Sequence, residues 1–411
     1  MRATCICVLL SVLGLASVAS GEWESIGPEG GPVNYVFQSA TDSDHLYACC
    51  GQSPVRILDS TNGGDTWNPS GSTSTYFYSM ALGPTDILWG GSYGSIYRSS
   101  DGGQTWTSGT ASNFLPWGIT PHPTDPNTVY AAGYHYVSSE YYPAFARSTN
   151  GGGTWTVTDL TTAYGAYGRC VAVSASNPSI IFVSGYTRTS PYNPKLWKST
   201  NGGVSFTEVA DPGWTSDYYM YSVAVHPTNP DIVLAGSYYN IWRSTNGGAS
   251  WVKAGVNKYV NYCMRFSEDD PDVVFSGSSS CIYRSQDAGV SWSNMTSGLP
   301  GGPYQSVETD WSSSSVAYTG CPSGFYFSSN TGSTWTQSND GLLVGDILAL
   351  HQVDCSPFTL YMSAVDLGIF RTTDDGSTWE VLGTPLSCGD VCAVATPTGD
   401  PDVLYVLEGT G

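Results

Sequence analysis

Apolar residues in this chain come in short runs, each closed by turn-forming residues, and the runs recur in a fixed order. In one interval "SVAVHP" (222–227) is followed by an Asn-Pro turn, then by "DIVLAGS" (231–237), "IWRS" (241–244), a polar Gly-rich string and "SWVKAG" (250–255). Runs rich in β-branched and aromatic residues, bounded by Gly, Pro, Asn and Asp, predict strands. Each interval therefore predicts four short antiparallel strands, a to d, joined by tight turns.

The polar string between c and d occurs eight times: "DSTNGGDTW" (59–67), "RSSDGGQTW" (98–106), "RSTNGGGTW" (147–155), "KSTNGGVSF" (198–206), "RSTNGGASW" (243–251), "RSQDAGVSW" (284–292), "FSSNTGSTW" (327–335) and "RTTDDGSTW" (371–379). Their final aromatics are 39, 49, 51, 45, 41, 43 and 44 residues apart, a period typical of propeller blades. The string suits a hairpin turn. Its Asn or Asp (Asn62, Asp101, Asn150, Asn201, Asn246, Asp287, Asn330, Asp374) bonds nearby backbone, the glycines supply positive φ, and the Ser/Thr hydroxyls satisfy remaining N–H groups. The closing Trp opens strand d and packs between blades, where burying about 200 Å² of ring contributes at most about 5 kcal/mol. These Trp residues, from Trp67 to Trp379, and the arginines that open the boxes are therefore expected to be structural.

These segments resemble the Asp-box, or BNR, repeat of sialidases, sortilin-type receptors and xyloglucan-cleaving glycoside hydrolases. The runs "HPTDPNTVYAAG" (122–133) and "HPTNPDIVLAGS" (226–237) are most similar to the last two groups. The resemblance spans residues 23–411 and implies an all-β fold, a β-propeller of four-stranded antiparallel blades. Eight boxes predict eight blades, and "VCAVATPTGDPDVLYVLEGTG" (391–411) adds strands a and b of a partial ninth. Residues 22–31 imitate a strand d with no blade before it. The expected organisation is a signal peptide over 1–20 and one propeller over 21–411; either the N-terminal strand joins the C-terminal pair to close a ring or, the favoured expectation, the propeller is truncated at its C-terminus as part of a larger or tandem one.

Composition narrows the partners. The chain has 411 residues, of which 12% are charged, with 34 acidic against 14 basic side chains and a net charge of −20. Such a chain repels phosphate backbones and anionic lipid, which disfavours nucleic acid. The N-terminus has one cation, Arg2, then an apolar run from Cys5 to Ala16 and small residues at Ser17, Ala19 and Ser20, the pattern of a secretory signal peptide. No later segment approaches the roughly 20 apolar residues of a membrane span. The expectation is a secreted, extracellular or periplasmic protein. Nine cysteines remain after the signal, an odd number; Cys388 and Cys392 are the expected disulfide. Five scattered histidines offer no metal-ligand spacing, and neither metal nor cofactor is expected.

In a propeller the d-to-a and b-to-c connections share one face, where strand a enters the central channel. Aligning strand a on the "SVAVHP" frame places Asn34, Tyr78, Trp117, Arg169, Tyr221, Tyr262, Gln305, Asp346 and Val391 at equivalent mouth positions. Tyr78, Trp117, Arg169, Tyr221 and Tyr262 fall on five neighbouring blades, flanked by Tyr76, Phe114, Tyr167, Tyr218 and Tyr219. The longest b-to-c loops, 134–146 and 186–195, are Tyr-rich, lie in the same sector and bring Glu140 and Arg188 near. Such a wall of rings either plugs the channel or holds a glycan or an extended peptide.

Enzyme readings fare less well on the residues. The sialidase resemblance would imply an arginine triad and a Phe-Arg-Ile-Pro signature; here only Arg56, Arg169, Arg188 and Arg265 are free of boxes, and "VRIL" (55–58) departs from the signature. The xyloglucanase resemblance would imply an Asp where "ACCGQSPVR" (48–56) has Cys49 and Cys50. Asp346, Glu308 and Asp390 are further mouth carboxylates. His122 and His226 belong to repeated "HP" turns, and Asn294 opens a glycosylation sequon, "NMT". The leading expectation is a binding or scaffold module with a glycan or peptide ligand. The alternative is a polysaccharide-active glycoside hydrolase or its N-terminal half.

Overall fold

The structure, a computed structural model, describes residues 32–338 apart from 52–54, 163, 189, 191, 211–212, 215–216 and 257–260, and the segments 347–353, 359–364, 368–373, 380–383, 391–395 and 405–408. Every strand pairs antiparallel with its neighbour in sequence. Val33–Gln38, Leu46–Cys50, Val55–Ser60 and Asn68–Thr73 form strands a to d of blade 1. Blades 2 to 7 repeat the plan over 79–110, 114–159, 166–208, 220–256, 261–294 and 306–337. The a strands contact one another around the axis and so line the channel.

Seven blades close the ring, because strand a of blade 1 packs against strands a and b of blade 7. The expected eight blades and a partial ninth are thereby corrected. The hydrophobic core is divided the same way, into seven clusters that each straddle one blade interface. The closing cluster joins Val36, Leu46, Leu58 and Trp67 of blade 1 to Tyr318 and Phe325 of blade 7. Blades 1 and 7 exchange no strand. Side-chain packing and a few polar contacts therefore fasten the seam, among them Trp67 Nε1 to the Ser338 carbonyl at 3.3 Å and Trp311 Nε1 to the Ser39 carbonyl at 3.1 Å. A further four-stranded sheet (strands within 347–383) and a strand pair (within 391–408) follow the ring in sequence and pack on each other.

The box explains how neighbouring blades are joined. In blade 1 Ser60 Oγ, fully buried, accepts from Gly64 N at 2.9 Å and donates to Asn62 Oδ1, which also accepts from Thr66 N. The same bonds recur around Asp101, Asn150, Asn201, Asn246, Asp287 and Asn330. Asp374 lies outside the described residues. Gly64 has φ +92°, and a Cβ there would lie 2.5 Å from Phe325 Cε1 of the preceding blade. The turn thus presses bare backbone onto a neighbour's ring, which only glycine allows. Box cations reach forward: Arg147, Lys198, Arg243 and Arg284 donate at 2.5 to 2.9 Å to carbonyls in the next box. Cys388 lies outside the described residues, as does the Cys392 side chain.

Candidate functional site

Strand a delivers its mouth residue through a break in the ladder. In five blades the a–b register slips by one residue, leaving Asn34, Trp117, Arg169, Tyr221 or Tyr262 unpaired. Such a bulge bends the strand and re-aims its side chain. Tyr78 and Gln305 stand immediately before strand a in blades 2 and 7. In the sheets after the ring the slip falls at Leu348 and Cys392. Val391 is therefore not the bulged position, and Asp346 lies outside the described residues.

The five residues singled out form an unbroken series of contacts. Tyr78 meets Trp117 edge-on with ring centroids 5.6 Å apart, and the Arg169 guanidinium lies 4.4 Å from the Trp117 ring and 5.7 Å from that of Tyr221. Tyr221 meets Tyr262 at 6.0 Å. Tyr76 extends the series beyond Tyr78 at 4.7 Å. Tyr186, from the long loop of blade 4, touches Tyr167, Tyr219 and Tyr221 and ties the loops to the channel rings. Tyr134 and Tyr141 continue from Tyr167, and Arg188 lies 4.1 Å from the Tyr141 ring. Glu140 makes no ion pair with Arg188. Phe114 does not belong here: it is fully buried between blades 2 and 3, since an all-carbon ring at that strand end gains more from the core than from water.

One buried carboxylate holds part of this array. Asp217, 2% exposed, accepts from Trp242 Nε1 and Asn240 Nδ2, both at 2.6 Å, and from Ser237 Oγ at 3.2 Å. The next residue, Tyr218, is exposed with φ +61°, a conformation uncommon for a bulky side chain. Asp217 thus anchors the loop that presents Tyr218 and Tyr219 beside Tyr221. Its role has no repeat signature in the sequence.

Electrostatics keep the phenols neutral. Burial pushes Tyr221 above its ordinary range, with Tyr186 adding to the rise and Arg169 opposing it. Burial raises Tyr35 to about 12 against the pull of Arg169, and raises Tyr134 to about 12. Tyr186 and Tyr219 are raised by burial as well. These rings are hydrogen-bonding platforms, the opposite of the lowered pKa that activates a nucleophile. Arg169, Trp117, Tyr78, Asn34 and Gln305 line a cavity of about 130 Å³ at this mouth that no carboxylate lines. The exposed rings Tyr76, Tyr93, Tyr164, Tyr218 and Tyr239 all sit in d-to-a or b-to-c connections of this face.

The opposite end of the channel differs. There Glu308 accepts from Arg265 Nε at 2.7 Å, with Glu268 3.8 Å from Arg265 Nη2, beside a cavity of about 660 Å³. Glu308 was expected among the mouth carboxylates; three residues beyond the mouth position, it faces the other opening. Burial raises its carboxyl despite the Arg265 charge. Asp390 lies outside the described residues. The histidines of the "HP" turns are turn caps: His122 Nδ1 accepts from the N–H groups of Thr124 and Asp125, and His226 Nδ1 from those of Thr228 and Asn229. Cys49 and Cys50 are buried free thiols raised by burial. Among the described residues no helix is long and apolar enough to cross a membrane.

No family model matches the chain. A xyloglucanase of Hypocrea jecorina (strain QM6a) is 33% identical over 155 residues, covering 34% of this chain and 17% of that protein. Among solved structures, an ancestral GH74 enzyme superposes with a TM-score of 0.69 at 16% identity, over 96% of this chain and 60% of that one. YCF48 bound to D1 peptide gives 0.51 at 15% identity, over 73% and 92%, and YCF48 from Cyanidioschyzon merolae gives 0.52 at 14%, over 73% and 96%. At these identities the structures show a shared propeller fold. The chain spans about one sixth of the curated relative it matches.

Proposed function

We propose that this chain is a secreted carbohydrate-binding propeller that lays an extended glycan across its tyrosine-lined mouth. The contact series Tyr78, Trp117, Arg169, Tyr221, Tyr262 carries the reading. Sugar rings present C–H faces that stack on aromatic rings, and their hydroxyls match neutral phenols and amides, which act as both donor and acceptor. Exposure of further tyrosines along the same face supports a ligand longer than the cavity. Similarity to a xyloglucanase supports a polysaccharide ahead of a peptide, although the YCF48 fold neighbour has been solved with a peptide bound.

A glycan array that includes xyloglucan oligosaccharides, with the chain labelled away from the mouth face, tests this directly. Saturable binding to a glycan class supports it, and a blank array overturns it. A second reading, polysaccharide hydrolysis, is favoured by the same xyloglucanase similarity. It requires two carboxylates roughly 5 to 9.5 Å apart across a cleft, and release of reducing ends from xyloglucan would establish it.

A further inference from the structure

We propose that Arg169 forms an anion subsite at the channel mouth that takes the carboxylate of an acidic sugar unit within the bound glycan. This deepens the glycan-binding reading and rests on it. Several of the other described cations have protein partners. Arg265 is matched by Glu308 and Glu268, Lys195 by Glu208, and the box cations Arg147, Lys198, Arg243 and Arg284 by backbone carbonyls. Arg169 has rings, Trp117 and Tyr221, but neither a carboxylate within ion-pair distance nor a hydrogen-bond acceptor among the described residues.

Its surroundings are arranged for the same task. Ring contact holds the guanidinium between Trp117 and Tyr221, and its five N–H donors form a planar fork that matches a carboxylate. Trp117 Nε1 is buried without an acceptor among the described residues, a donor whose desolvation costs free energy unless a partner is supplied. The amides of Asn34 and Gln305 line the same cavity, which has no Asp or Glu among its described lining residues. Arg169 meets the rings of Trp117 in blade 3 and Tyr221 in blade 5 and lines one cavity with Tyr35 of blade 1, which places it near the axis where a ligand crosses the mouth. A neutral sugar would satisfy these donors and leave the charge unmatched; a carboxylate satisfies both. Arg188, also without an acid among the described residues, stands over Tyr141 on the same face and suits a polymer bearing repeated carboxylates.

The probes are polygalacturonate, its fully methyl-esterified form and poly-L-glutamate, titrated calorimetrically against wild type, Arg169→Gln and Arg169→Lys, with melting curves to confirm folding. The proposal expects wild type to bind polygalacturonate on the order of tenfold more tightly than the ester, the scale of one charge-assisted bidentate contact. That preference should vanish in Arg169→Gln, survive in part in Arg169→Lys and weaken with salt. Equal affinity for the acid and ester polymers, or a preference that persists in Arg169→Gln, would overturn the subsite while leaving the glycan reading in place. Poly-L-glutamate competing as well as polygalacturonate would overturn the sugar assignment in favour of an acidic peptide. Failure to bind these polymers or any neutral glycan would overturn both readings.

Discussion

Replacing the two glycines of the first box one at a time separates what backbone conformation requires from what the blade seam requires. Gly63 has φ +70° with no atom closer to a built Cβ than Asp44 Oδ1 at 4.0 Å, whereas Gly64 has φ +92° and the Phe325 ring at 2.5 Å. An alanine held at positive φ costs about 1 to 2 kcal/mol, offset by about 0.4 to 1 kcal/mol from the stiffer unfolded chain. Gly63→Ala should therefore destabilise by about 0 to 1.6 kcal/mol. Gly64→Ala carries that cost plus about 1 to 3 kcal/mol of overpacking against a ring that cannot retreat from its cluster. Its expected total is about 1 to 4.6 kcal/mol. Urea unfolding followed by tryptophan fluorescence measures both. Phe325→Leu in the Gly64→Ala background should recover about 1 kcal/mol of coupling, since the two sites touch. Equal losses at both glycines, or strict additivity with Phe325→Leu, would refute the view that the box presses one blade onto the next and closes the ring.

Three further outcomes follow from the same structure. Asp217→Ala strands the buried donors of Trp242 and Asn240, while Ser237 Oγ keeps the Asn240 carbonyl at 2.8 Å, and should cost about 2 to 4 kcal/mol, with altered near-ultraviolet circular dichroism from the tyrosines beside it. Thr105, through its hydroxyl and N–H, holds the Asp101 carboxyl at about 2; a depressed folded pKa gives stability present above the ordinary carboxylate range and lost as pH falls through that value. Asp101→Asn, the residue at this place in five of the seven described boxes, should flatten the drop in melting temperature between about pH 4 and 2. Spectrophotometric titration should find tyrosines that ionise only at about 12, as Tyr134 does through its burial; ionisation of every tyrosine near the usual 10 would contradict the packing of the mouth.

The blade plan was legible because a repeated turn has to spend the same residues each time: a hydroxyl two before Asn or Asp, glycine two after, and an aromatic to finish. Ring size was not, since boxes continue past the point of closure with an unchanged period. A signal does exist. Blades 2 to 6 open their box with Arg98, Arg147, Lys198, Arg243 or Arg284, and four of these reach the following box, whereas blade 7 has Phe327, which packs on the closing cluster. A forward-reaching cation is lost where the next box in sequence is no longer the next in space. Blade 1 has Asp59 at that place, and there Ser70 Oγ bonds the Gly102 carbonyl instead. The mouth residues were legible because one frame position per blade converges on the axis. The bulge that turns them inward, and the buried Asp217 that steadies their neighbours, come from register and loop packing that no local pattern records.

Binding by the Trp117→Ala/Tyr221→Ala double variant tests the central claim most directly, measured calorimetrically on whichever glycan wild type binds best. Each lost stacking contact is worth about 1 to 1.5 kcal/mol, so the account predicts an affinity reduced by roughly 30- to 160-fold in a variant that melting curves show to be folded. Wild-type affinity in the folded double variant would show that the rings plug the channel and that the ligand, if there is one, binds elsewhere.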